Sequence, residues 1–353
     1  MSNSDRRTFL KSAVQTSLAA GVGFALPGLT RSSLAFAQAR EDQNPPLPPN
    51  ELALPQIKPE PWLKIDDRNV FLKGMAFDRK GNLTVVAAYP GPDPSKGLAG
   101  RLDRSILSIS PDKKVTTLIH QPGLRMTDHA IHKDGRIFIA CLSGEVMVAN
   151  PDGSDVKPVP VKVNGKPTTP SDLVFDSKGS LYVTDFTGRV DNPTGGIYRY
   201  SPDFKSVELF GPNLVTPNGI AFSHDERTIW TACSIAKKVY RLDLDADGKT
   251  VKSAEAVYTV TGPGGDGIRV DMKGNFYLAM NFQGRIYVFD KTGKPIALVL
   301  MPGRDKGELL STTNVEFKPG TDEAYAVGAG DTGGTWIYRF KGLAKGVPMY
   351  SHM

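Results

Sequence analysis

Two cysteines in 353 residues cannot staple a disulfide scaffold, and five histidines with no metal-ligand spacing offer no zinc site. No Gly-x-Ser-x-Gly elbow occurs, so serine-hydrolase chemistry finds no support. The apolar stretch from Ala13 to Leu29 is broken by Pro27 and falls short of the roughly 18 residues that a membrane span needs. No run of Lys and Arg interleaved with aromatics forms a nucleic-acid groove. What is present is 40% hydrophobic and 23% charged residues, the balance of a soluble globular chain. Thirty-six glycines and 27 prolines, dispersed along it, suit many turns between short strands.

The net charge of +6 has to be located before it means anything. Ser4-Asp5-Arg6-Arg7-Thr8-Phe9-Leu10-Lys11, followed by a mildly apolar stretch, reads as a twin-arginine export signal over residues 1–39. Ala35-Phe36-Ala37 and Ala37-Gln38-Ala39 are its two candidate cleavage sites. Export to the periplasm or beyond is expected, with the twin-arginine machinery as a partner and no stable membrane insertion after removal. Removing 1–39 takes four cations and Asp5, so the charge falls to +3. Residues 40–63 are Pro-rich and are expected to be an extended leader carrying little core.

From residue 64 the chain repeats one unit six times. The opening segments are Lys73-Gly74-Met75, Thr127-Asp128-His129, Ser171-Asp172-Leu173, Asn218-Gly219-Ile220, Asp266-Gly267-Ile268 and Thr313-Asn314-Val315. Each is followed by a turn, at Gly81, Gly135, Gly179, Asp225-Glu226, Gly274 and Gly320, and then by a second apolar strand. A spacing of 44 to 54 residues with several short strands per unit predicts an all-β fold, a six-bladed β-propeller of four-stranded blades around a central channel. The domain is expected over 64–345, with 346–353 as a C-terminal tail. Cys141 and Cys233 fall at equivalent places in non-adjacent blades, too far apart to bridge, which predicts two buried free thiols. His132 and His224 fall in turns and are expected to be solvated.

In a propeller the innermost strands line the channel, so the first residues of the six segments form one ring facing a common axis: Lys73, Thr127, Ser171, Asn218, Asp266 and Thr313. All are polar. The ring is either a water-filled mouth with hydrogen-bonded caps or a metal site, for which Asn218 and Asp266 supply an amide and a carboxylate oxygen. His129 is the one polar residue two positions further in, either a base paired with Asp128 or a hydrogen-bonded core histidine.

Pro217-Asn218-Gly219-Ile220-Ala221-Phe222-Ser223 and Gly264-Gly265-Asp266-Gly267-Ile268-Arg269-Val270-Asp271 resemble two signature segments of the senescence marker protein/gluconolactonase/LRE-like family. Ser171-Asp172-Leu173-Val174-Phe175, with Tyr182-Val183-Thr184-Asp185-Phe186 and Asn192-Pro193-Thr194-Gly195-Gly196, is similar to its drug-responsive lactonase branch. The likeness spans residues 64–342 and extends to diisopropylfluorophosphatase. It implies a six-bladed propeller that hydrolyses lactones with a central divalent ion, often calcium. Carried over residue by residue, it implies Asn218, Asp266 and Ser171 as metal ligands and Asp266 and Asp172 as catalytic carboxylates. The family's blade-one glutamate falls on Lys73, and an ammonium there opposes a divalent ion. Either the metal is kept through Asn218, Asp266, water and Asp128 or Asp172, or Lys73 replaces it and pairs with Asp266. A small-molecule substrate, a lactone or related ester, would then meet Lys73, Thr127, Asp128, His129, Thr313 and Asn314. The rival reading is a non-catalytic propeller that binds a small ligand or a protein partner at the same mouth. Substrate choice is expected to lie in loops such as 89–102 and 185–196.

Overall fold

The computed structural model describes residues 47–91, 100, 103–163 and 166–353. The export signal, the start of the leader and most of the 89–102 loop lie outside the described residues. The described part belongs to one compact unit, Gln43–Met353.

Six antiparallel sheets follow one another along the chain. Blade one is built from Phe71–Phe77, Leu83–Ala88, Arg104–Ile109 and Val115–His120, and blade two from Met126–Ile131, Ile137–Cys141, Val146–Ala149 and Lys157–Pro158. Blade three takes Pro170–Phe175, Leu181–Asp185, Gly196–Tyr200 and Val207–Leu209, and blade four takes Pro217–Phe222, Thr228–Cys233, Lys238–Leu244 and Val251–Thr259. Blade five contains Ile268–Val270, Phe276–Met280, Arg285–Phe289 and Pro295–Leu300, and blade six contains Val315–Phe317, Glu323–Gly330 and Gly334–Lys341. The first strand of each blade neighbours the first strand of the next, and that of blade six returns to blade one. This closed cycle is the six-bladed propeller predicted from the repeats.

The turn in each unit has a local cause. Asp78, Asp176 and Asp271 each accept two backbone N–H bonds across the turn, and the residue that must adopt positive φ is Gly81, Gly179 or Gly274. Blade four does the same with Glu226, at φ 53°. Six apolar clusters fill the six gaps between blades. Between blades one and two, for example, Val86, Ile106 and Ile119 meet Met126, Ile139 and Met147. Between blades six and one, Tyr325, Val327 and Ile337 meet Leu72, Met75 and Val85. Burial of this kind contributes about 25 cal/mol per Å² of apolar surface.

The segment read as a leader behaves differently from expectation. Glu60–Asp66 is the outermost strand of blade six, antiparallel to Gly334–Lys341, and Gln56–Ile57 adds a parallel fifth strand to blade five. Glu51, in the one-turn helix Pro49–Leu52, is buried against Arg285 and Tyr287. The prolines keep the segment extended, which suits an edge strand as well as a free leader. The C-terminal tail is likewise part of the body: Tyr350 is buried between blades two and three. His132, expected in water, packs edge-on against Phe175 and Tyr350. Cys141 and Cys233 are buried free thiols, as predicted, and burial pushes each up to about 12.

Candidate functional site

In blades one to four the first strand enters the channel through a bulge. Pairing shifts register between Lys73 and Met75, Met126 and Asp128, Pro170 and Leu173, and Pro217 and Ile220. In blade one the extra residue is Gly74, at φ 56°, and a Cβ there would collide with the Asp128 carboxyl. Glycine is therefore required twice over, for the backbone and for its neighbour.

The predicted ring divides into two groups. Lys73 Nζ donates to Ser171 Oγ at 3.1 Å and to Asn218 Oδ1 at 2.8 Å, and lies 3.1 Å from Asp266 Oδ1. Blades one, three, four and five thus converge on one ammonium. Ser171 Oγ also donates to Asn218 Oδ1, and Asn218 Nδ2 donates to Ser234 Oγ, which donates to the Gly265 carbonyl. This chain fixes the amide with its oxygen toward Lys73; Ser234 was not foreseen from the repeats. Asp266 Oδ1 has no aligned hydrogen bond, so its contact with Lys73 is Coulombic. Burial holds the Asp266 carboxyl above the usual range, against the pull of Lys73.

Thr127 and Thr313 form the other group and do not join this cluster. Thr127 Oγ1 donates to the Ser171 carbonyl and Thr313 Oγ1 to the Leu72 carbonyl, each tying its blade to the next. These hydroxyls stitch one blade to the next.

Below the mouth the channel is plugged. Asp128 accepts from the His129 backbone and from Asn314 Nδ2 at 3.2 Å. Asp172 accepts from the backbone N–H groups of Leu173 and Ile220. Asp128, Asp172 and Asn314 have no exposed surface, whereas Lys73 and Asn218 keep 6% each, so the cluster lies on the open side of the plug. Burial, reinforced by the neighbouring Asp172, pushes Asp128 well above the usual carboxylate range. His129 is a core imidazole: Nε2 meets Thr84 Oγ1 at 2.6 Å, and burial lowers its pKa to about 3. It stands neutral and outside the mouth. Deeper still, Arg269 Nε donates to Glu316 Oε2 at 2.8 Å and Nη2 to the Met75 carbonyl. Sequence reasoning missed this buried pair, although an arginine and a glutamate at matching places in two channel strands were a visible signal.

A pocket at the far end of the channel, lined in part by Val174, Phe222, Arg269, Glu316 and Met349, lies away from Lys73. Its polar lining is the Arg269–Glu316 pair together with Ser223, His224 and Glu226.

The family described as SMP-30/Gluconolactonase/LRE-like region matches residues 102–312. The chain is 39% identical to lactonase drp35 of Staphylococcus saprophyticus over 321 residues, which is 88% of this chain and 95% of that protein. It is 35% identical to lactonase drp35 of Staphylococcus haemolyticus over 314 residues, 85% and 92% of the two chains. Among solved structures, a calcium-binding protein, regucalcin, of Agrobacterium tumefaciens superposes with a TM-score of 0.64 at 19% identity, covering 84% of this chain and 99% of that one. A gluconolactonase of Xanthomonas campestris superposes at 0.63 with 17% identity, covering 80% and 94%.

The mouth does not fit a divalent ion in its present form. Its donors are one carboxylate, one amide and one hydroxyl, and an ammonium already stands among them. Asp128 and Asp172 are engaged elsewhere, and among the described residues no group of three or more His, Cys, Asp or Glu gathers as a metal centre. Two unit charges 4 Å apart interact by about 4 kcal/mol at a typical effective protein dielectric, and a divalent ion doubles the repulsion from Lys73.

Proposed function

The chain belongs to the SMP-30/Gluconolactonase/LRE-like family, and from that premise we propose that it hydrolyses a lactone or a related cyclic ester at the channel mouth. The observation that carries the reading is the convergence of one cation, one carboxylate and one amide, from blades one, five and four, at the open side of the plug.

The lactone carbonyl oxygen takes an N–H of Lys73 in place of Asp266, whose contact is the one not held by an aligned hydrogen bond. The exchange polarises the carbonyl and frees the Asp266 carboxylate to accept a proton from water. Water oxygen bonds to the carbonyl carbon, negative charge gathers on the oxygen facing Lys73, and the ring C–O bond breaks. The leaving oxygen takes up a proton, from Asp266 in the balanced cycle, and the product is a hydroxy acid. Asn218 and Ser171 keep Nζ in place throughout.

Purified protein, offered sugar, aliphatic and aromatic lactones and followed by acid release, is expected to hydrolyse at least one class well above the spontaneous rate. No hydrolysis of any class overturns the reading. It would favour a ligand-binding propeller, for which one observation already speaks: all three N–H groups of Lys73 have oxygen neighbours.

We further propose export by the twin-arginine route, on the strength of Arg6-Arg7 and the stretch that follows. Substituting both arginines by lysine is expected to hold the protein in the cytoplasmic fraction; unchanged fractionation sinks the proposal.

A further inference from the structure

We propose that Lys73 is the resident cation of this site, so that the mouth works without a divalent metal and a single substitution at position 73 would turn it into a calcium site. Three oxygens supplied by three different blades, Ser171 Oγ, Asn218 Oδ1 and Asp266 Oδ1, converge on one point at 2.8–3.1 Å, and that point is Nζ. Such a cage is cation-specific: the amide is turned oxygen-inward by Ser234 and the carboxylate adds the only formal charge among the three. The ammonium arrives on a strand whose bulge, at Gly74, lets it reach across the channel while Asp128 closes in behind.

A calcium ion requires six to eight oxygens at 2.3–2.6 Å, and it would find three here, one of them charged. The two carboxyls below the mouth cannot swing up to help, because backbone N–H groups hold Asp172 on both oxygens and His129 and Asn314 hold Asp128. Lys73 is itself only 6% exposed, so no ion can enter unless the side chain is withdrawn from all three partners. Replacing it by glutamate would remove the positive charge and add two oxygens to the same cage. The inference rests on the proposed hydrolysis for its activity arm, adding that no metal shares the work of Lys73, and its binding arm stands whether or not the protein is a hydrolase.

Calcium chloride is titrated by calorimetry into chelator-treated wild-type protein and into Lys73→Glu, with thermal unfolding followed in parallel. Wild type is expected to give no site-specific heat and no calcium-dependent shift of Tm. Lys73→Glu is expected to take up one equivalent at least 100-fold more tightly than wild type, with Tm rising as calcium is added. One equivalent bound by wild type and lost in Asp266→Asn overturns the proposal, as does a folded Lys73→Glu that binds no better than wild type. Should Lys73→Glu fail to fold, Lys73→Gln carries the comparison: at least tenfold tighter binding than wild type supports the proposal and equal binding overturns it. In an activity arm, hydrolysis that survives chelator supports it. Hydrolysis abolished by chelator and restored by calcium overturns it while leaving the lactonase reading intact, and absence of hydrolysis in both conditions fails that reading alone.

Discussion

Two buried cations of this propeller sit in opposite kinds of surroundings. Arg285 has no exposed surface, is paired with Glu51 and lies 4.6 Å from the Tyr287 ring, whose hydroxyl donates to the same carboxylate. Its partner comes from 234 residues away, and Nη2 also donates to the Thr261 carbonyl. Lys73 instead touches three oxygens from three blades, keeps a little exposure and meets its carboxylate without an aligned hydrogen bond. The planar guanidinium locks a chain end to a blade; the compact ammonium can exchange one partner for another. Burial alone therefore does not separate a structural ion pair from a reactive one. On the proposed reading, what sets the mouth apart is its exposure and the loosely held carboxylate.

Four substitutions test that contrast. Asp266→Asn is expected to lower lactone hydrolysis by about 10²–10⁴-fold, the usual worth of a general base, with a smaller loss of stability; steady-state kinetics beside a melting curve measure both. An Asp266→Asn that unfolds but, where folded, hydrolyses normally would make the mouth a second lock. Glu51→Gln is expected to do the reverse, costing about 3–5 kcal/mol in denaturant titration because it strands a buried arginine, while kcat/KM stays within a few fold. Gly74→Ala is next, at about 1–3 kcal/mol, since the position needs positive φ and leaves no room beside Asp128; hydrolysis should fall with it as Lys73 is displaced. Thr313→Val removes one blade-to-blade hydrogen bond and is expected to cost about 1 kcal/mol. An activity loss far beyond that would return Thr313 to the substrate.

The blades were legible because each carries its own opening pair, turn and second strand within some 47 residues, a signal local enough to be seen without partners. The mouth cluster was legible for the same reason: Lys73, Ser171, Asn218 and Asp266 hold one register position in four repeats. Register could not distinguish them from Thr127 and Thr313, because a hydroxyl at that position can turn to the axis or to the next blade's carbonyl, and only the three-dimensional neighbour decides. The same limit hid Glu51 and the strand Glu60–Asp66. Pro-rich sequence says extended, and what it pairs with lies more than 200 residues later.

That strand also sets an order of events. Glu60–Asp66 leaves the ribosome long before Gly334–Lys341 exists, and at about 5–20 residues per second the gap is on the order of tens of seconds. Until then Glu323–Gly330 has one unpaired edge and the early strand has no partner to join. Completion of blade six thus waits for a strand near the far end of the chain and joins an early segment to a late one. A chain cut short before Gly334 would keep five blades, two strands of the sixth, an orphan outer strand and an open flank able to pair with another copy.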